Sequence, residues 1–348
     1  MATKRALVIS GGGSKGAFAV GVLKRLLQVF PALNFNSYVG TSTGALIAPL
    51  AAMGEYNLLE QLYSTQTTDK IIKKLNLGDR LNQHSIFDAN PLWELIQNYY
   101  NDERYAKLQL SGKVIYLTTV CLQTSELVVF TNNRNAAASK HYKTQFIVSA
   151  DHFRKAVMAS ACQPVFMPPI KVNLKVPGAV RPNDQFVDGG VREYAGVQIA
   201  IDDAADEIFT VLHSTGENVL LDKEFKTIFP ILQQTIDIFT EDVAKNDLII
   251  PQQFNEALEY IDAVKRKMKR AGMDAIEIED FFRIRGKENP FEDKKPLKLY
   301  SFRPASPLGG GPGGLTFDSV EMKRMMNAGE QATKDFIAAL PSKDITWG

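Results

Sequence analysis

Ser42, Asp188 and the glycines of Gly11-Gly12-Gly13-Ser14-Lys15-Gly16 are the residues of this 348-residue chain whose types and spacing suit chemistry. Ser42 sits in Gly40-Thr41-Ser42-Thr43-Gly44, a G-x-S-x-G run that fits a nucleophile elbow. In such an elbow a sharp strand-to-helix turn lifts the serine hydroxyl above the strand ends. Gly40 and Gly44 flank the serine because the turn is strained and a Cβ would collide with neighbouring backbone. Gly11, Gly12 and Gly13 follow the apolar stretch Ala6 to Ser10 and open a helical-looking run. Their consecutive N–H groups make a receptor for negative charge. Asp188 closes the apparent strand Gln185 to Val187 and precedes Gly189-Gly190, where the backbone can turn away and leave a carboxylate in a cleft. Together these elements suggest acyl transfer through an oxyanion.

Each motif has a competing reading. Gly11 to Gly16 also fits G-x-G-x-x-G, the dinucleotide fingerprint, which expects an acidic residue about 20 positions further on. The first acidic residue of the chain is Glu55, so that reading is weak. A phosphate-binding P-loop fails because Lys15 is followed by Gly16 rather than by Ser or Thr. Taken alone, Asp188-Gly189 reads as an ordinary turn. The order of the three motifs is what favours chemistry.

These residues resemble the patatin-like phospholipase family, serine acyl hydrolases that use a Ser–Asp dyad. The resemblance rests on Gly11 to Gly16, on Gly40 to Gly44, on Asp188-Gly189-Gly190, and on the Ala159-Ser160…Pro164…Phe166-Met167-Pro168-Pro169 block. It covers roughly residues 5 to 215, with a continuation through the segment Asp318 to Ala339. Ser10 stands where many members have Asp, and Lys15 where Arg is common. The resemblance implies a three-layer α/β fold with a mostly parallel central sheet flanked by helices. It also implies Ser42 as nucleophile, Asp188 as base, and the N–H groups of Gly11, Gly12 and Gly13 as oxyanion hole. Lys15, Gly16, Gly40, Gly44, Gly189 and Gly190 are then supporting residues, with Lys15 steadying either the loop or a substrate phosphate. The implied substrate is a phospholipid or other fatty-acyl ester, cleaved through an acyl-enzyme, with no cofactor and no metal. An acyl transferase on the same site, a nicotinamide-linked reductase and a catalytically silent lipid-binding protein stay open as alternatives.

The remaining sequence must position these groups. Strands are expected at Ala6–Ser10, Ser37–Gly40, Val114–Val120, Leu127–Thr131, Gln185–Val187, Ile208–Leu212 and Leu297–Phe302. Helices are expected at Gly16–Phe30, Thr43–Met53, Pro91–Tyr100, His152–Ser160, Phe254–Lys269 and Ser319–Ala339. This alternation argues for a sheet covered on both faces. Pro49 should kink the helix after the elbow. Asn90 before Pro91 reads as a helix cap, Asp318-Ser-Val-Glu321 as a capping box, and Leu308 to Gly314 as a loop. The expected organisation is a catalytic core over 1–215, a mainly helical insertion over 216–296, and a completing strand, loop and helix over 297–348. The insertion ends in the basic run Lys265 to Arg270, read either as a solvated helix end or as a contact for anionic lipid.

Composition excludes several classes. A hydrophobic content of 45% and a charged content of 23% are ordinary for a globular protein, and a net charge of +1 gives no case for nucleic acid. Two cysteines imply no disulfide framework. The N-terminus does not read as a secretory signal, which points to the cytoplasm and leaves peripheral membrane contact open. Leu26 to Gly54 carries no charge, but Pro31 and several polar residues break it, so it reads as core rather than as a span. Four histidines are present, His84, His141, His152 and His213. Only His213 follows Asp188, as a Ser…Asp…His triad would require. It reads as structural, with activity surviving its replacement.

Overall fold

In the computed structural model, which describes residues 3–74, 85–217, 220, 222, 224–292, 294–340 and 347, strands and helices alternate along most of the chain. His84 lies outside the described residues. The chain begins with β1 (Arg5–Ile9), α1 (Gly16–Val29), β2 (Ser37–Gly40), α2 (Thr43–Ala52) and α3 (Tyr56–Thr65). A small ribbon of β3 (Lys73–Lys74) and β4 (Phe87–Asp88) leads to α4 (Asn90–Tyr99) and α5 (Asp102–Leu110). There follow β5 (Val114–Cys121), β6 (Leu127–Thr131), β7 (Lys143–Phe146), α6 (Ala150–Ala161) and β8 (Phe186–Asp188). The rest is α7 (Val197–Asp202), β9 (Glu207–Val211), α8 (Ile228–Arg270), α9 (Ala275–Phe281), β10 (Lys298–Phe302) and α10 (Ser319–Ala339).

Among the described residues the main sheet has the order β10-β9-β1-β2-β5-β6-β7, with β8 also on β5. The neighbours from β10 to β5 are all parallel, while β6 and β8 run antiparallel to β5. Side chains of a strand alternate between faces, so β1 feeds two cores. Leu7 and Ile9 join Phe18, Leu23, Ala48 and Met325 on one face, and Ala6 and Val8 join Val197, Ile199 and Leu248 on the other. Helices α1, α2 and α10 therefore cover one face, with α7 and part of α8 on the opposite one. This is a three-layer α/β fold with a mostly parallel sheet.

The register explains how distant motifs meet. Ile9 pairs with Gly40 on one side and with Val211 on the other. Two residues further on, the glycine loop therefore has Ser42 on one flank and His213 on the opposite flank. On β5, Gly40 pairs with Leu117 while Asp188 pairs with Thr119. Strand β8 thus takes up the edge of β5 where β2 ends, which delivers Asp188 to the turn that follows Gly40.

Three local expectations need correction. Helix α8 begins at Ile228 rather than at Phe254 and runs through Pro251. Its first half mixes Ile and Phe with Gln, Thr and Asp, so no single apolar face announces it. Asn90 is the first residue of α4 instead of its cap, because the Asp88 carboxylate accepts the Asn90 N–H at 2.9 Å. At α10 the Asp318 carboxylate accepts from the N–H groups of Val320 and Glu321, whereas the Glu321 carboxylate lies 3.7 Å from Arg324. The α2 helix continues past Pro49 to Ala52.

Candidate active site

Ser42 occupies a left-handed backbone conformation, φ 56° and ψ −120°, immediately before α2. A non-glycine residue there is strained by roughly 1–3 kcal/mol and must be held by its surroundings. The clamp is backbone on backbone. A Cβ at Gly40 would fall 2.3 Å from Gly44 O, and one at Gly44 would fall 2.1 Å from Ile9 O. Both positions therefore exclude side chains. From below, the Ser42 N–H donates to Ser160 Oγ at 3.1 Å. Thr118 Oγ1 donates to Thr41 Oγ1 at 2.7 Å, and a Cβ at Gly189 would meet Thr118 Oγ1 at 2.2 Å.

Asp188 is buried against this turn. Its carboxylate accepts the Ser42 hydroxyl and, at 2.8 Å, the N–H of Gly190. Its own N–H donates to Cys162 O at 2.9 Å. Burial pushes the Asp188 carboxyl up to about 6, against the opposing pull of those two hydrogen bonds. It is therefore mostly ionised at neutral pH, yet more basic than an exposed aspartate.

The glycine loop lies on the other side of the serine. A Cβ at Gly11 would be 3.3 Å from Ser42 Cβ. Gly11 itself uses its N–H on Tyr194 O at 3.3 Å, so it is not the free donor expected of it; Gly12 and Gly13 are the candidates that remain. These two have φ of 148° and 58°, conformations that need glycine. Lys15 N–H donates to Gly12 O at 3.1 Å, which ties the end of the loop to its start, and Gly16 opens α1 close against Thr43.

A cavity of about 630 Å³ opens over these groups, within the usual range for small-ligand sites. One wall is apolar, with Leu46, Leu50, Leu59, Ile96, Phe317 and Met322 among its members. Helix α8 also lines it and carries Asp237, Glu241, Asp242 and Lys245 there. Of Val165, Phe166 and Met167, only Met167 lines the cavity, for Val165 is exposed and Phe166 stacks on Phe87. Among the described residues no three His, Cys, Asp or Glu side chains are grouped to hold a metal ion, and no helix is long and apolar enough to cross a membrane.

Several contributors carry no motif of their own in the sequence. Ser160, within the Ala159-to-Pro169 block, accepts the Ser42 N–H, a role that no local spacing announces. The glycine-rich loop near residue 311 packs directly on the backbone of the Gly11–Gly13 loop, since a Cβ at Gly13 would be 2.2 Å from Gly314 O. Its composition was the available signal. Asp247 of α8 accepts the N–H groups of Tyr194 and Ala195 at 2.6 and 3.0 Å, and no motif marks it. Among the histidines, His152 contacts Asn173 Oδ1 through Nε2 at 3.2 Å and belongs to the core, whereas His213 lines the cavity.

Fold and site together define an α/β protein with a serine elbow and a carboxylate partner at the ends of parallel strands. The model of the patatin-like phospholipase family matches residues 7–201, more than half of the chain, and the protein belongs to that family. It is similar to a cUMP-AMP-activated phospholipase of Escherichia coli, 41% identical over 64 residues. That match covers 17% of this chain and spans 20% of the relative's length. The structure also aligns with VipD from Legionella pneumophila at a TM-score of 0.42 and 13% identity, over 97% of this chain and 67% of that one.

Proposed function

We propose that this protein is a lipid acyl hydrolase that cleaves fatty-acyl esters with Ser42 as nucleophile and Asp188 as general base. The observation that carries this reading is the hydrogen bond from the Ser42 hydroxyl to a buried, strengthened carboxylate, beside a glycine loop and over an apolar cavity. Ser42 Oγ attacks the ester carbonyl carbon as its proton passes to Asp188. The N–H groups of Gly12 and Gly13 hold the oxyanion, each such donor being worth about 10²–10³ in rate. Collapse breaks the ester bond, and the leaving alcohol takes the proton from Asp188. Water then attacks the acyl-enzyme, Asp188 accepts its proton, and release of the fatty acid returns that proton to Ser42. The wall containing Leu46, Leu50 and Leu59 suits the acyl chain, and in this reading the headgroup lies towards α8.

Family membership supports the lipid substrate, and peripheral contact with a membrane surface follows from where such substrates reside. The test is fatty-acid release from phospholipid vesicles, with every glycerol-bearing product identified. The account expects free fatty acid at a rate unaffected by EDTA. Transfer of the acyl group to an added alcohol in preference to water would make the same site a transferase. Neither product would leave a lipid-binding protein.

A further inference from the structure

His213 takes no part in the steps above, although it faces the same loop. It is buried, and its Nδ1 lies 2.7 Å from Gly11 O and 3.1 Å from Ser10 Oγ. Its backbone N–H donates to Ser10 Oγ at 3.2 Å, which anchors the residue at the end of β9. A carbonyl oxygen only accepts, so Nδ1 carries the proton in this contact. Burial pushes the imidazole down to about 4, leaving it neutral at physiological pH with Nε2 bare. Nε2 is enclosed and has no hydrogen-bond partner among the described residues. The polar contacts of the imidazole go to Ser10 and Gly11 and not to Ser42 or Asp188, so His213 does not stand as the third member of a triad.

The geometry points to His213 as a positioning residue that sets the oxyanion hole by gripping Gly11 O and so fixing the orientation of the Gly12 N–H. The peptide joining Gly11 and Gly12 is planar and trans, so its C=O and N–H point in opposite directions. Holding the carbonyl on the imidazole turns the Gly12 N–H away from it. The flanks match this arrangement. A Cβ at Gly11 would be 3.3 Å from Ser42 Cβ, whereas one at Gly12 would be 3.0 Å from His213 Cβ. The loop therefore lies between the two residues, as the pairing of Ile9 with both Gly40 and Val211 requires. Glycine peptides rotate with little steric resistance, so consecutive glycines need an outside anchor to present a fixed donor. A donor that is already oriented needs no reorganisation when the oxyanion forms.

This inference rests on the hydrolase reading and is tested on a short-chain nitrophenyl ester. The wild type is compared with His213→Leu, His213→Asn and His213→Gln. An asparagine amide nitrogen sits close to the place of Nδ1, whereas a glutamine amide extends towards the place of Nε2. Leu and Gln should lower kcat about 10–10²-fold with KM changed by less than about twofold, and Asn should recover most of the loss. A merely structural histidine would show no such split between kcat and KM and no preference for Asn over Gln. Should His213→Leu fail to fold, the two amide variants still decide the matter. Equal kcat in Asn and Gln, or full activity in Leu, would overturn the positioning role while leaving the hydrolase reading intact. An inactive wild type would overturn both.

Discussion

The strand ends and the α8 wall enclose the same serine but are fastened by different means. At the strand ends the constraint is backbone on backbone: Gly40 against Gly44, Gly44 against Ile9, and Gly13 against Gly314. On the α8 side the fastening to the Tyr194 segment runs through a side chain, with the Asp247 carboxylate accepting two N–H groups and lying beside the half-buried Glu193 carboxylate. Both of these carboxyls are pushed above their usual range, by burial in each case and, for Glu193, also by the Asp247 charge. Backbone contacts tolerate no substitution and do not respond to pH. A carboxylate clamp tolerates an isostere and weakens as pH rises. The protein thus pairs a fixed floor beneath Ser42 with a wall whose attachment depends on charge.

The largest expected effect is on the fixed side. Asp188→Asn should lower ester hydrolysis by about 10³-fold or more while leaving the melting temperature within a few degrees, because residues acting as a unit fail together. Steady-state rates and thermal melts on the same preparation check this. Gly44→Ala is next. With Ile9 O only 2.1 Å from the new methyl, we expect a loss of about 1–3 kcal/mol or more in urea unfolding. A neutral result would show that the floor is softer than the comparison requires.

On the α8 side, Asp247→Ala strands two N–H groups and should cost about 1–3 kcal/mol, whereas Asp247→Asn keeps an acceptor and removes a charge. The sign follows from the raised carboxyls. Their contribution to stability is complete below the ordinary carboxylate range and is lost as pH rises through the folded-state values. Asp247→Asn should therefore gain on the wild type as pH increases, and melts across pH 5 to 9 would reveal it. Activity has its own pH dependence. Protonation of Asp188 near 6 should lower kcat/KM roughly tenfold for each unit below that point, and a flat profile would remove Asp188 as base. The smallest effect belongs to the distant end of α8, where Lys265 already pairs with Glu279 at 2.6 Å. Replacing Lys267, Lys269 and Arg270 with Gln should leave soluble-ester hydrolysis unchanged, and any loss confined to vesicles would mark a lipid contact.

The same contrast explains what could be read in the sequence. Ser42, Gly12 and Asp188 stand out in the sequence because a strained turn, a glycine-rich loop at a helix start and a carboxylate before two glycines each demand particular residues at fixed spacing. The parallel sheet was legible through the apolar runs of β1, β2, β5 and β9, although their ends differ by a residue or so. The first half of α8 was hidden because its side chains face a polar cavity wall on one side and open surface on another. Ile238 and Phe239 are exposed next to the buried Ala244 and Leu248. Asp247 and His213 act through long-range register rather than local spacing, so no short motif can mark them. Gly11 shows the same limit: its place in the motif was visible, but the Tyr194 carbonyl that takes its N–H lies 183 residues away and only the fold brings it there.

The central claim is that Ser42 is an activated nucleophile and that Asp188 activates it. It is tested most directly by treating the full chain with a fluorophosphonate probe and mapping the adduct by peptide mass spectrometry, for the wild type and for Asp188→Asn. The account predicts one covalent adduct, on Ser42, formed at least about 10²-fold more slowly in Asp188→Asn. An adduct elsewhere, no adduct at all, or equal rates in the two proteins would contradict it.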